Sequence, residues 1–87
     1  MLTIRVQRQR LGEIEIVASA LNHGLNREQI LATLSLPYRI VRISGDLALA
    51  IGGDHARRLI EIITADRQDE LTVIHAMPSR SKFFRYL

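Results

Sequence analysis

Two polar side chains stand in otherwise apolar strand patterns, and both are of types that move protons. Glu61 lies in the strand predicted for residues 58–64, and His75 lies in the one predicted for residues 71–77. A carboxylate beside an imidazole orients the ring and favours its protonated form, which is one way to make a general acid or base. The alternative is a half-exposed polar pair on an open sheet, without a chemical role.

The pairing of these two strands decides whether the two side chains meet. Alternate residues of a strand point the same way, which puts Glu61 on the face opposite Ile60 and Ile62. In the last strand the same rule separates two sets of residues, Val73, His75 and Met77 on one face and Ile74 and Ala76 on the other. If helices cover the face that carries the isoleucines and Ala76, Glu61 and His75 point together from the uncovered face.

Basic and aromatic residues alternate directly after the strand that carries His75, in residues 78–86 (PSRSKFFRY). Arg80, Lys82 and Arg85 can bind phosphate, and aromatic rings between them can stack on bases, which suits single-stranded nucleic acid better than a duplex. The alternative is an amphipathic tail that packs its rings on the core and leaves its charges in water. Both interpretations stay open at this point.

The sequence offers no metal or cofactor motif. Its histidines, at positions 23, 55 and 75, lack ligand spacing, and no cysteine supports them. It also lacks a phosphate-binding glycine loop, a serine nucleophile elbow and the basic helix of a helix-turn-helix protein. We therefore expect no cofactor and no metal, which leaves acid–base chemistry or binding.

Composition and charge bound the class of protein. A chain of 87 residues, 47% hydrophobic and 24% charged, predicts one globular domain spanning residues 1–87. The absence of cysteine argues against a disulfide-bonded secreted scaffold and favours the cytoplasm, and no apolar run approaches the roughly 18 residues that a membrane span needs. The net charge is +3 with both ends basic, which suits a nucleic acid or an acidic partner protein.

Two helices are predicted in the first half of the chain. Residues 14–22 fit both a strand and a helix pattern, and we favour a helix that ends at Gly24. Asn26 then caps a second helix, which ends near Ser35 because Pro37 forces the residue before it out of helical geometry.

Strands account for most of the rest. Alternation in residues 2–7 predicts an N-terminal strand, and turn residues separate four more strands at 38–43, 47–51, 58–64 and 71–77. Short connections make these four an antiparallel sheet, with both helices packed on one face. The predicted fold is therefore α+β, with two N-terminal helices on an antiparallel sheet of about four strands and the N-terminal strand as an addition.

Three segments of the chain resemble a family of short bacterial toxins near the RelE-like and BrnT-like ribonucleases. These are residues 22–25 (NHGL), residues 51–54 (IGGD) leading to 59–61 (LIE), and above all residues 73–82 (VIHAMPSRSK). The resemblance covers residues 14–87. It implies a compact α+β toxin of a type II toxin–antitoxin system that cuts messenger RNA without a metal and is blocked by a cognate antitoxin.

The resemblance also implies roles for individual residues in cleavage of RNA by its own 2′-hydroxyl group. His75 is the acid–base candidate and Glu61 orients it, while Arg80 completes the catalytic set. Lys82, which also matches the motif, would bind the phosphate. Outside the motif, the basic residues Arg57 and Arg85 are further candidates for phosphate binding by their charge alone. A homodimer or a toxin–antitoxin hetero-oligomer is compatible with this assignment.

The chain departs from the family pattern in two places. Ala56 and Arg57 stand where the turn after Asp54 is expected to contain glycine, and residues 1–12 extend beyond the usual start. Two other classes of protein remain as alternatives. One is a non-catalytic module that binds RNA or an acidic partner, and the other is a degenerate toxin kept as a scaffold.

Overall fold

The computed structural model describes residues 14–54, 56, 58–67 and 70–80. Five strands in this part of the chain form one mixed sheet: β1 (Glu15–Ile16), β2 (Arg39–Ser44), β3 (Leu47–Gly53), β4 (Leu59–Arg67) and β5 (Glu70–Pro78). One α-helix, α1 (Arg27–Ser35), and a short 3-10 helix (Ala18–Leu21) precede β2. The predicted α+β class is confirmed.

The sheet has the strand order β1-β5-β4-β3-β2. Strands β2 to β5 follow one another as antiparallel neighbours, as the short connections predicted, whereas β1 pairs with β5 in parallel. The sheet is therefore mixed rather than purely antiparallel. The predicted strand at residues 2–7 lies outside the described residues.

The helix predicted for residues 14–22 is wrong. Glu15 and Ile16 lie opposite Thr72 and Val73 in the parallel ladder, and the Val17 backbone N–H donates to the Val73 carbonyl at 3.0 Å. The edge of β5 thus supplies backbone hydrogen bonds that favour the strand pattern over the competing helical one. Only the 3-10 helix (Ala18–Leu21) remains of the predicted first helix.

The start and end of α1 are as predicted. Gly24, with φ +83°, takes the left-handed conformation that glycine adopts without a steric penalty. Asn26 and Gln29 then form a reciprocal cap: Asn26 Oδ1 accepts from the Gln29 N–H at 2.9 Å, and Gln29 Oε1 accepts from the Asn26 N–H at 2.8 Å. The helix ends at Ser35, two residues before Pro37.

Replacing Asn26 with alanine is expected to lower the free energy of unfolding by about 1 kcal/mol, because an N–H at the helix start loses its acceptor. Urea denaturation of the two proteins measures this difference. Asn22→Ala is a matched control, since Asn22 is exposed and its side chain makes no hydrogen bond to the described residues. Equal losses in both variants would contradict the capping role.

The main core lies between the sheet and the helical segments on one of its faces. Its residues come from the segments before β2 and from strands β3, β4 and β5: Ile14, Ala20, Leu25, Ile30, Leu34, Ala50, Ile60, Ile62, Leu71, Val73 and Ala76. A glycine in β3 lets α1 pack closely, because a Cβ at Gly52 would make tight contacts of 3.0 Å to Thr33 Cγ2 and 3.1 Å to the Thr33 carbonyl oxygen. None of the helices in the described ranges is long and apolar enough to cross a membrane.

A register irregularity in the β4–β5 pair corrects the predicted faces of β5. Ile63 lies opposite His75, but Thr64 lies opposite Val73, so that Ile74 is left without a partner across the ladder. An extra residue of this kind reverses the alternation of faces beyond it. Val73 therefore points into the core with Ala76, and the prediction that it shares a face with His75 is wrong.

Candidate functional site

The irregularity in β5 leaves His75 and Glu61 on one face of the sheet. Glu61 lies opposite Met77 in β5, and His75 lies diagonally across the ladder from Glu61, opposite Ile63. Side chains at such diagonal positions are within reach of each other. The predicted meeting of Glu61 and His75 is thus present in the structure.

The prediction made this face uncovered, but the structure buries its centre. The side chain of Glu61 is 0% exposed, and its neighbour across β3, Ile51, is buried as well. An ionised carboxylate taken out of water is stable only when hydrogen bonds and opposite charge replace its hydration. The partners of Glu61 therefore decide what this site is.

Arg80 is the principal partner of Glu61. Its backbone N–H donates to Glu61 Oε1 at 2.9 Å, and its guanidinium binds both carboxylate oxygens, with Nη2 to Oε2 at 2.6 Å and Nε to Oε1 at 3.1 Å. Just before it, the Ser79 N–H donates to the Leu59 carbonyl at 2.9 Å and extends the pairing of β4 with β5. The backbone of the strand end thus fixes Arg80 over the carboxylate.

His75 is the second partner. Its Nε2 lies 2.9 Å from Glu61 Oε2, and the side chain is 25% exposed. Because an ionised carboxylate only accepts hydrogen bonds, Nε2 carries the proton in this pair. Nδ1 has no hydrogen-bond partner among the described residues. The ring therefore offers a basic nitrogen, held in one tautomer by a buried carboxylate.

Opposing effects act on the pKa of the Glu61 carboxyl. Burial raises its pKa, but the hydrogen bonds from the Arg80 side chain and backbone and from His75 outweigh burial and hold the pKa below its usual value. The same contact raises the pKa of Arg80 above its usual value. Both groups are charged at neutral pH, and they form an ion pair with one member inside and one at the surface.

The lowered pKa of Glu61 predicts a loss of stability in acid. The unfolded chain takes up a proton near the usual value of 4.5, whereas the folded protein does so only at lower pH. The stabilisation from Glu61 is thus fully present above pH 4.5 and is lost as pH falls through the folded pKa. Urea denaturation from pH 7 to pH 3 should show a shallower acid loss in Glu61→Gln, and equal slopes in the two proteins would contradict this.

A third side chain reaches this site from the turn that follows the 3-10 helix. The ring of His23 meets the ring of His75 edge to face, with centroids 5.9 Å apart and an interplanar angle of 62°. Its residue type and spacing had predicted no role for His23. The only sequence signal for it was the segment NHGL in the resemblance to the toxin family.

The structure places some of the predicted site residues and not others. It brings Glu61, His75 and Arg80 together, and their catalytic roles stay predictions. The proposed phosphate-binding residues all lie outside the described residues: Arg57, Lys82 and Arg85. The described ranges contain no group of three or more acidic or histidine side chains that can hold a metal ion.

The side chain of Asp54 stabilises the turn after β3. Asp54 Oδ1 accepts from the backbone N–H groups of Ala56 and Arg58, each at 2.9 Å, and Asp54 Oδ2 pairs with the Arg58 guanidinium at 3.0 Å. These hydrogen bonds hold the pKa of Asp54 below its usual value, with the Arg58 N–H as the largest contribution. The turn is thus closed by an aspartate side chain, with alanine at the position where glycine was expected.

Comparison with known proteins adds no identification. No protein-family model matches the chain, and neither a curated protein nor a solved structure matches it.

Proposed function

We propose that this protein is the toxin of a type II toxin–antitoxin system and cleaves messenger RNA at the site formed by Glu61, His75 and Arg80. One observation carries the proposal. A fully buried carboxylate binds an imidazole and a guanidinium at once, and both of these partners extend to the surface, with 25% and 41% of their side chains exposed. The toxin family that residues 73–82 resemble is the second support.

The arrangement suits attack of the RNA 2′-hydroxyl on the adjacent phosphorus. Nδ1 of His75 takes the hydroxyl proton, and the positive charge that develops on the ring is compensated by Glu61 through Nε2. Glu61 is a positioning residue here, since it is buried behind the imidazole. Arg80 keeps a positive charge near the phosphate, where negative charge develops in the transition state.

Neutral His75 leaves the site without net charge, because Glu61 and Arg80 compensate each other. Uptake of the hydroxyl proton makes the site positive at the moment when the phosphorane carries its greatest negative charge. The protein thus places charge where the reaction creates it, which is the main way in which preorganised sites lower a barrier.

Expression in a bacterial host tests the proposal. Growth and total RNA integrity are followed after induction of the wild-type protein and of a His75→Ala, Arg80→Ala double variant. We expect arrest and RNA cleavage with the wild type only. Purified protein should cleave the same RNA in the presence of EDTA, because side chains and not a metal move the protons, and dependence on added metal would contradict this part.

The remaining outcomes identify the alternatives. Harmless expression together with RNA binding that weakens steeply with salt would indicate a non-catalytic RNA-binding module. Harmless expression without RNA binding would indicate a scaffold. The proposed function also includes a cytoplasmic location and a cognate antitoxin, and co-expression of that antitoxin should restore growth.

A further inference from the structure

We propose that His23 is the general acid of this site, opposite His75 as the general base. The inference rests on the proposed RNA cleavage and assigns its second proton transfer. Its basis is the contact between the two rings, whose centroids lie 5.9 Å apart. Among the described residues, His23 and Glu61 are the only histidine or carboxylate side chains that contact His75.

Cleavage by the 2′-hydroxyl needs two different groups. One takes the proton from the attacking oxygen while the other gives a proton to the 5′-oxygen that leaves, and the two oxygens lie on opposite sides of the phosphorus. A hydrogen-bonding nitrogen lies about 2.6–3.2 Å from its oxygen. Two imidazoles at the observed separation can therefore each reach one of the two oxygens of a single phosphodiester.

The surroundings of the two rings decide which takes which role. Nε2 of His75 is bound to the buried Glu61 carboxylate, which compensates a positive charge gained by the ring. His23 is exposed, and no carboxylate of the described residues contacts it. A proton on its ring can therefore pass to the leaving oxygen without the loss of an ion pair to a described carboxylate.

The step balances without a further reactant. The 2′-oxygen forms a bond to phosphorus as its proton passes to Nδ1 of His75, and the bond from phosphorus to the 5′-oxygen breaks as that oxygen takes a proton from a ring nitrogen of His23. The products are a 2′,3′-cyclic phosphate and a 5′-hydroxyl end. Exchange with water then returns His75 to its neutral form and His23 to its protonated form.

A leaving group that needs no proton tests this assignment. Two RNA oligonucleotides contain the same mapped cleavage site, and in one of them sulfur replaces the bridging 5′-oxygen, so that a thiolate leaves. Both are supplied alone and on ribosomes to the wild type, His23→Ala and His75→Ala. Ser19→Ala is the control, because Ser19 is exposed on the 3-10 helix that precedes His23.

On the oxygen substrate, His23→Ala should be slower than the wild type by about 10²–10⁴-fold, the usual contribution of a positioned acid. On the sulfur substrate it should return to within a few-fold of the wild type, whereas His75→Ala stays slow on both.

If the cleavage rate of His23→Ala falls equally on the two substrates, or on neither, the role of His23 is overturned while the proposed function stays intact. A wild-type protein that cleaves neither substrate would instead overturn the proposed function, and the role of His23 with it. Thermal denaturation of His23→Ala should match that of the wild type, because the side chain is exposed.

Discussion

Replacement of His75 by alanine is expected to reduce RNA cleavage by about 10²–10⁴-fold, the range for loss of a positioned general base. The ring is the only imidazole in the described residues that binds Glu61, and 25% of its side chain is exposed. Initial rates on a fixed RNA oligonucleotide at saturating substrate measure the effect. The loss should be in kcat, because the proton moves in the transition state and not on binding.

The variant His75→Gln distinguishes the effect of losing proton transfer from the effect of losing the packing of the side chain. The glutamine amide can donate to Glu61 as Nε2 does, but it cannot take up a proton at neutral pH. We expect it to fold as the wild type does and to be as inactive as His75→Ala. Thr72→Ala, a half-buried change on the same strand, is the control. Wild-type rates in both His75 variants would show that the chemistry lies elsewhere.

Replacement of Glu61 by alanine is expected to lower the stability of the fold strongly, because its side chain is fully buried. Removal of one partner from a buried ion pair costs about 3–5 kcal/mol, and we expect a value near 3 kcal/mol because Arg80 and His75 both reach water. Three contacts are lost together: the Arg80 backbone N–H, its guanidinium and His75 Nε2. Urea denaturation at pH 7 measures the change.

Glu61→Gln is the matched variant, since it keeps the volume and one acceptor oxygen but removes the charge. It should be more stable than Glu61→Ala and still cleave RNA more slowly than the wild type, because the charge that compensates the His75 imidazolium is gone. A Glu61→Ala protein as stable as the wild type would show that the network of Glu61 contributes nothing to folding.

The combination of burial and contact distinguishes this site from a surface ion pair. Exposed pairs of opposite charge contribute little, whereas here the carboxylate is fully buried and its two partners, the Arg80 guanidinium and the His75 imidazole, lie toward the surface. Such an arrangement fixes the orientation of a histidine before any substrate arrives. Preorganisation of this kind supports the role proposed for His75 as a general base.

Much of the fold followed from patterns within short segments. Strands β2 to β5 were predicted within a few residues of their observed bounds, because alternation and turn residues are local properties of the chain. The cap at Asn26 and the stop before Pro37 are local as well. The segment 14–22 was misassigned, because its pattern fits both a helix and a strand. The choice between them depends on pairing with β5, about 57 residues further along the chain.

Part of the site was predictable for the same reason. Glu61 and His75 stood out as polar residues within apolar strands, and Arg80 belonged to the basic run after the last strand. The contact between Glu61 and His75 depended on a register of β4 and β5 that places both side chains on one face of the sheet. The irregularity between Ile63 and Thr64 decides that register, and nothing in residues 70–78 signals it.

By itself, the sequence determined the α+β class, the four consecutive strands, the capped helix and the candidates Glu61, His75 and Arg80, because periodicity, turn chemistry and capping act between residues close in the chain. Only the tertiary structure decided the parallel pairing of β1, the complete burial of Glu61 and the approach of His23 to His75. These features join residues 14 to 57 positions apart, where long-range packing and backbone hydrogen bonding between strands select one arrangement among several that the local pattern allows.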